Sequence, residues 1–150
     1  MEHQQLLEKY HASAISFYEE GKRISAQALN QSKDGEWSTA FIIHHIADAE
    51  IQFGVRYANT LTEDNPTVVP FDEEKFPDGL QYNKRSVEIS LQSFIATHAM
   101  NYEILNNASD ADWKRISTHS TRGVVTLLNF VQLSANHIES HIAQLKSAAI

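Results

Sequence analysis

All three prolines of this chain, Pro66, Pro70 and Pro77, fall between Thr62 and Tyr82. Proline lacks a backbone donor and clashes with the preceding helical turn, so that stretch cannot lie inside a long helix, while nothing on either side forbids one. Apolar spacing supplies the helices. Leu7, Tyr10, Ala14, Phe17, Gly21, Ile24 and Ala28 alternate steps of three and four, which predicts a helix from roughly His3 to Leu29 with Gly21 at a close contact. Lys33-Asp34-Gly35 predicts a turn and Ser38 an N-cap, and a second helix then runs to about Leu61 with Gly54 costing some helicity. Asn83 is the expected N-cap of a third helix whose stripe reads Val87, Leu91, Phe94, His98, Tyr102 and Leu105. Ser109 and Asp112 predict a capping box and a small turn around Trp113. After Gly123, a fourth helix from about Val124 to Lys146 turns Leu127, Val131, Ile138, Ile142 and Leu145 inward.

A length of 150 residues fits one domain, 1–150, and four helices of this size predict an all-α fold, a four-helix bundle. The connection from Thr62 to Tyr82 decides the topology. In a simple up-and-down bundle, helices 2 and 4 would be parallel, with His45 about 10 Å and His137 about 20 Å from their starts at one common end, too far apart to cooperate. If the connection crosses the bundle lengthwise, helix 4 becomes antiparallel to helix 2 and His45 comes level with His137 and His141. The expected order is therefore up-down-down-up, with a site near the junction of helices 1 and 2 and the crossover reaching its mouth.

Twelve lysines and arginines against nineteen acids give a formal charge of -7, which repels polyanions and disfavours nucleic acid as a partner. The absence of cysteine removes disulfides, thiolate ligands and any protein-borne thiol nucleophile. The N-terminal Met1-Glu2-His3-Gln4-Gln5 lacks the order of a signal peptide and no apolar run reaches membrane-spanning length, so the expectation is a soluble, cytoplasmic protein with no membrane partner.

Helical phase sorts the eight histidines. At about 100° per residue, Ile42, Ile46, Ala49 and Phe53 set a core direction about 70° from His45 and about 170° from His44, so His44 is expected to point away from the core. His137 and His141 stack one turn apart on one flank of the last helix, with Gln144 on the same flank. Three neutral imidazoles from two helices would leave coordination positions open, the pattern of a catalytic rather than a structural ion. Asp48, one turn beyond His45, and Gln144 are candidates for orienting the rings. The competing reading is bland: eight histidines yield about 0.4 such i, i+4 pairs by chance, and histidines also sit on helix surfaces or hydrogen-bonded in cores. His98 reads as a satisfied core histidine, His3, His11 and His119 as surface or loop residues, Trp37 as a core or mouth anchor, and Phe17, Phe94 and Tyr102 as core.

The order Trp37-Ser38, His45-Ile46-Ala47-Asp48-Ala49-Glu50, Gly123 and His137-x3-His141-x2-Gln144-Leu145 resembles the DinB/YfiT-like metalloenzyme superfamily across nearly the whole chain. Asn65-Pro66-Thr67-Val68-Val69-Pro70-Phe71-Asp72-Glu73 is similar to the proline-rich crossover of its YfiT-type subgroup, with Asn65 where threonine is usual, Phe71 in place of tyrosine, and Phe76 near a common tryptophan. The resemblance implies His45, His137 and His141 as ligands of a divalent ion, nickel or zinc first and iron or manganese as alternatives. It also implies a homodimer, and an activity as a metal-dependent hydrolase or a bacillithiol transferase.

An ion held by neutral imidazoles keeps its full charge and acidifies a bound water or thiol. Two routes follow. A low-molecular-weight thiol bound as thiolate attacks a small-molecule electrophile, or an activated water attacks an amide or ester. Transfer ranks first here, because helical phasing brings no carboxylate base to face the three histidines. The non-enzymatic alternative is a stress-associated metal-binding bundle or dimeric module.

Overall fold

The protein is described from a computed structural model covering residues 2–32 and 35–148, so the expected turn at Lys33-Asp34 lies outside the described residues. Helix α1 spans Glu2–Arg23 and a single turn, α2, spans Ala26–Leu29. Helix α3 is Thr39–Thr62, followed by strand β1, Thr67–Val68, and the turn α4, Phe76–Gly79. Helix α5 is Val87–Asn106; strands β2, Ile116–His119, and β3, Gly123–Thr126, precede helix α6, Leu127–Ala148.

Several boundaries differ from the periodicity, each for a local hydrogen-bonding reason. The first helix stops at Arg23 rather than Leu29 because Ser25 is extended and its hydroxyl accepts from Ala28 N–H at 3.2 Å, restarting the chain as α2. Helix α5 is capped by Ser86, which accepts from Ile89 N–H at 3.3 Å, while Asn83 sits in a 3-10 turn over Tyr82–Lys84. Helix α6 begins at Leu127 because Thr126 and Asn129 cap one another there, Asn129 N–H on Thr126 Oγ1 at 3.1 Å and Thr126 N–H on Asn129 Oδ1 at 3.2 Å. Ser38 and the Ser109/Asp112 box cap as expected.

Contacts fix the helix directions. Lys9 on α1 reaches Asn136 and Glu139 on α6, and Lys146 approaches Glu20, so α1 and α6 are parallel. His44 meets Ser90 and Glu50 meets Asn101, so α3 and α5 are parallel. His45 meets His141 while Arg56 lies over Phe130, so α3 and α6 are antiparallel. His11 contacts His98 and Gly21 faces Leu91, so α1 opposes α5. This is the up-down-down-up bundle, with Tyr10, Phe17, Ile42, Ile46, Phe94, Phe130 and Ile138 buried between the helices.

The helical bundle expected from the sequence also carries a small three-stranded sheet. β2 and β3 form an antiparallel hairpin, Ile116 opposite Thr126 and His119 opposite Gly123, and β1 joins β2 in parallel with Thr67 beside Thr118 and Val68 beside His119. The β-branched residues of Ile116–Thr126 favour strand over helix, and Gly123 at φ +76° turns the hairpin. The sheet pins the start of the crossover to the hairpin, which fixes where the following Pro70–Lys75 segment passes.

A buried polar cluster ties three helices together. Glu50 on α3 accepts from Tyr10 Oη of α1, from Asn101 Nδ2 of α5 at 3.1 Å and from His98 Nδ1 of α5 at 3.3 Å, and His11 Nδ1 bonds His98 Nε2 at 3.0 Å. Gly54 makes room for it: a β-carbon there would lie 2.7 Å from Asn101 Oδ1. His98 is thus a satisfied core histidine, as its seam position predicts, and His11 is no isolated surface residue but stacks on Tyr102 with centroids 4.3 Å apart. His3 likewise stacks on Trp113.

Candidate metal centre

His45 sits in the second turn of α3, and His137 and His141 occupy successive turns of α6, on facing helices. The antiparallel packing brings His137 Nε2 to 2.9 Å from His45 Nε2 and 3.1 Å from His141 Nε2. Among the described residues this is the one group of three metal-ligating side chains whose donor atoms all lie within 4.8 Å of one another. Tetrahedral ligation at about 2.0–2.1 Å per nitrogen requires N···N separations of about 3.3 Å, so the two separations from His137 need to open by only a few tenths of an ångström to hold an ion.

The surroundings keep the nitrogens as lone-pair donors. Burial and the two neighbouring rings push His45 down to about 3, burial and His141 push His137 down to about 4, and burial lowers His141. His141 Nδ1 bonds Gln144 Oε1 at 2.6 Å, which places the proton on Nδ1 and leaves Nε2 free toward the other rings. Trp37 packs edge-on against His45 with centroids 5.1 Å apart, an anchor at the mouth.

These depressed values carry a stability consequence. The unfolded histidines take up protons near pH 6.5, before the folded ones do, so acid drives unfolding. Stability of the metal-free protein is expected to be complete above about pH 6.5 and to decline as pH falls toward 4 and 3; urea midpoints measured from about pH 7.5 down to about pH 5 should fall monotonically.

The other expected ring partner is engaged elsewhere. Asp48 accepts from Tyr82 Oη at 2.7 Å and from both terminal nitrogens of Arg85 at 2.8 and 2.9 Å. It thereby ties the end of the crossover to α3. Arg85 also reaches Ser90 Oγ, which bonds His44 Nδ1 at 2.8 Å. His44 is fully buried, contrary to its phase, because α5 and the Tyr82 ring cover the side of α3 that a two-neighbour helix would leave to solvent. Burial and Arg85 hold it down to about 4.

The residue that sequence reasoning missed is Glu73. A 3-10 turn at Glu73–Lys75, capped by Asp72, carries its Oε2 to 3.5 Å from His45 Nε2. Burial, Glu74 and Asp72 raise its pKa. A carboxylate therefore does face the three histidines, which corrects the expectation drawn from helical phasing. The crossover is not helical at this point, and phase arithmetic has no hold on it; the sequence brings the crossover to the mouth and carries the acidic run Asp72-Glu73-Glu74, but does not say which of its side chains turns inward.

A cavity of about 660 Å³ opens beside His137 and Glu73, with Phe53, Phe71 and Leu133 among its walls. His119, expected on a surface loop, is instead buried on β2 and lines this cavity.

Residues 17–145 match the DinB superfamily. The chain belongs to that superfamily. Among its relatives, an Oceanobacillus iheyensis protein named "Putative metal-dependent hydrolase" is 30% identical over 115 residues, 77% of this chain and 66% of the relative. A Bacillus mycoides protein of the same description is 29% identical over 113 residues, 75% of this chain and 65% of the relative. The chain thus spans just under two-thirds of the length of these curated relatives. YfiT from Bacillus subtilis, described as "a probable metal-dependent hydrolase with an unusual four-helix bundle topology", superposes with a TM-score of 0.89 at 22% identity, over 97% of this chain and 85% of that one. A mycothiol-dependent maleylpyruvate isomerase shares the fold at a TM-score of 0.77 and 12% identity, over 95% of this chain and 60% of that one. No described helix of this DinB-superfamily chain is long and apolar enough to cross a membrane.

Proposed function

We propose that this protein is a metal-dependent enzyme in which His45, His137 and His141 hold a divalent ion, zinc or nickel first, and in which the cavity beside them admits a small-molecule thiol and an electrophile. The observation that carries this reading is the convergence of three Nε2 atoms, neutral through burial, on one point beside a cavity of about 660 Å³. When bound, the ion would supply Lewis acidity, lowering the pKa of a thiol or water and polarising the bond under attack. Glu73 would take the proton that the nucleophile releases; burial, Glu74 and Asp72 raise its affinity for that proton. Trp37 and the helix packing hold the His45 ring in place, and Gln144 fixes the His141 tautomer. With no cysteine in the chain, the thiol comes from solution.

Hydrolysis is the second reading. Glu73 favours it, because a carboxylate poised beside the ion's position serves a water nucleophile as well as a thiol, and the relatives' names point the same way. Metal-loaded protein supplied with an electrophile, with and without low-molecular-weight thiols, separates the two: turnover that requires thiol supports transfer, and thiol-independent cleavage of esters or amides supports hydrolysis. On either route Glu73→Gln should lower kcat by about a hundredfold or more while leaving the metal content unchanged, as checked by elemental analysis and steady-state kinetics. Unchanged kcat would remove Glu73 from the chemistry. The homodimer implied by the family resemblance is part of this reading; Ile51 and Val55, one turn apart on α3, are exposed, and sedimentation would report the assembly.

A further inference from the structure

The cavity beside the metal centre has a wall of unpartnered donors. Of the five arginines, Arg23, Arg85 and Arg115 each pair with a carboxylate. Arg56 and Arg122, both lining the cavity, have no side-chain ion pair or hydrogen bond among the described residues. In a chain of net charge -7, two guanidinium groups left unpaired side by side stand out. Burial and the neighbouring Arg122 lower the pKa of half-buried Arg56, but a guanidinium is basic enough to stay charged at neutral pH. Arg56 is held in place by the rings of Phe53, Phe71 and Phe130, 5.1, 5.3 and 5.8 Å from its guanidinium carbon, contacts that leave its N–H edge free.

His119 completes the wall. Its Nδ1 accepts from Thr121 N–H and Arg122 N–H at 3.2 Å each and meets Thr121 Oγ1 at 3.1 Å. That arrangement places the ring proton on Nε2, which has no partner among the described residues, and burial with both arginines keeps the ring neutral. Three elements therefore present donors to one space. The acids of the same cavity do not neutralise them: Glu73 faces His45 and Asp72 pairs with Lys75 at 3.5 Å, and none comes within 4.0 Å of either guanidinium.

We infer that Arg56, Arg122 and the Nε2–H of His119 form an anion subsite, so that one reactant carries a carboxylate bound there while its reacting atom reaches the three-histidine centre. The match is chemical: a guanidinium fork and a neutral N–H together complement the two oxygens of a carboxylate. The inference rests on the proposed function only in taking the bound molecule to be a reactant.

The test begins with the metal-free protein. Succinate should raise its unfolding midpoint and the neutral isostere succinamide should not, at matched ionic strength; Arg56→Gln and Arg122→Gln should lose the succinate response while keeping the wild-type response to zinc, and Arg56→Lys should keep part of it. No succinate response in the wild type, or an undiminished one in the double variant, overturns the subsite. Cobalt-loaded protein then reports thiol binding by its sulfur-to-metal charge-transfer band. Preference for mercaptosuccinate over mercaptoethanol by about tenfold, falling toward unity in Arg56→Gln, assigns the carboxylate to the thiol. A comparable preference in KM for iodoacetate over iodoacetamide, at fixed mercaptoethanol, assigns it to the electrophile; where thiols do give the band, absence of both preferences overturns the inference. Should no thiol give the band while succinate still protects the metal-free protein, the thiol reading fails and the subsite stands.

Discussion

His137→Ala should abolish metal-dependent stabilisation outright. Its Nε2 is the central atom of the triangle, 2.9 Å from His45 and 3.1 Å from His141, and the two remaining nitrogens cannot enclose an ion. A ligand that binds only the folded state, at about a hundredfold excess over its Kd, stabilises by about 2.7 kcal/mol. For a domain of this size that corresponds to a Tm increase of about 5–10 °C. Thermal unfolding with and without zinc or nickel should show the increase in the wild type and none in His137→Ala. His44→Ala is the matched control: it removes a buried ring bonded to Ser90, so its Tm should drop, but the metal response should survive. A variant at His137 that still gains several degrees from metal would remove this cluster as the binding site, and loss of the response in His44→Ala would implicate the wrong histidine of the pair.

The second large effect is on folding itself. Glu50 is 1% exposed and its carboxyl group receives Tyr10, His98 and Asn101, three donors from two helices. Glu50→Ala removes the carboxylate from all three in a region closed to water, leaving Asn101 Nδ2 only the main-chain carbonyl at position 50, 3.2 Å away, and the cost of stranding buried polar groups adds to that of the cavity. The expected loss is about 3–5 kcal/mol, a large share of the 5–15 kcal/mol by which a domain is ordinarily stable. Glu50→Gln, which preserves volume and one acceptor, should recover part of it. Urea unfolding measures both; a loss below about 1 kcal/mol in Glu50→Ala would mean that the cluster is dispensable.

Such buried networks are hard to see in a sequence. Glu50 sits in a helix whose apolar period is clear, and its neighbours along the chain do not reveal that Tyr10 and Asn101 wait across the core. His98 is buried as its place on the seam of its own stripe predicts. His44 departs from its phase, because a phase argument assumes an open face, and α3 has none there once α5 and the crossover are in place.

Short-range order was legible wherever one interaction dominates over a few residues. The alternation of three and four gave the four long helices, Ser38 and the Ser109/Asp112 pair gave caps, and the clustered prolines gave the crossover and with it the up-down-down-up order. Bringing His45 level with His137 and His141 was the condition that selected this order, and helical phase picked out those three histidines. What tertiary structure alone decided is the chemistry of the mouth. Glu73 reaches the histidines, and His119 joins Arg56 and Arg122, only because β1 pairs with β2 across some fifty intervening residues and clamps an irregular segment over the bundle end. Helical periodicity carries positional information along a regular rod; where the backbone leaves the rod, side-chain direction is set by long-range strand pairing, which no local spacing records.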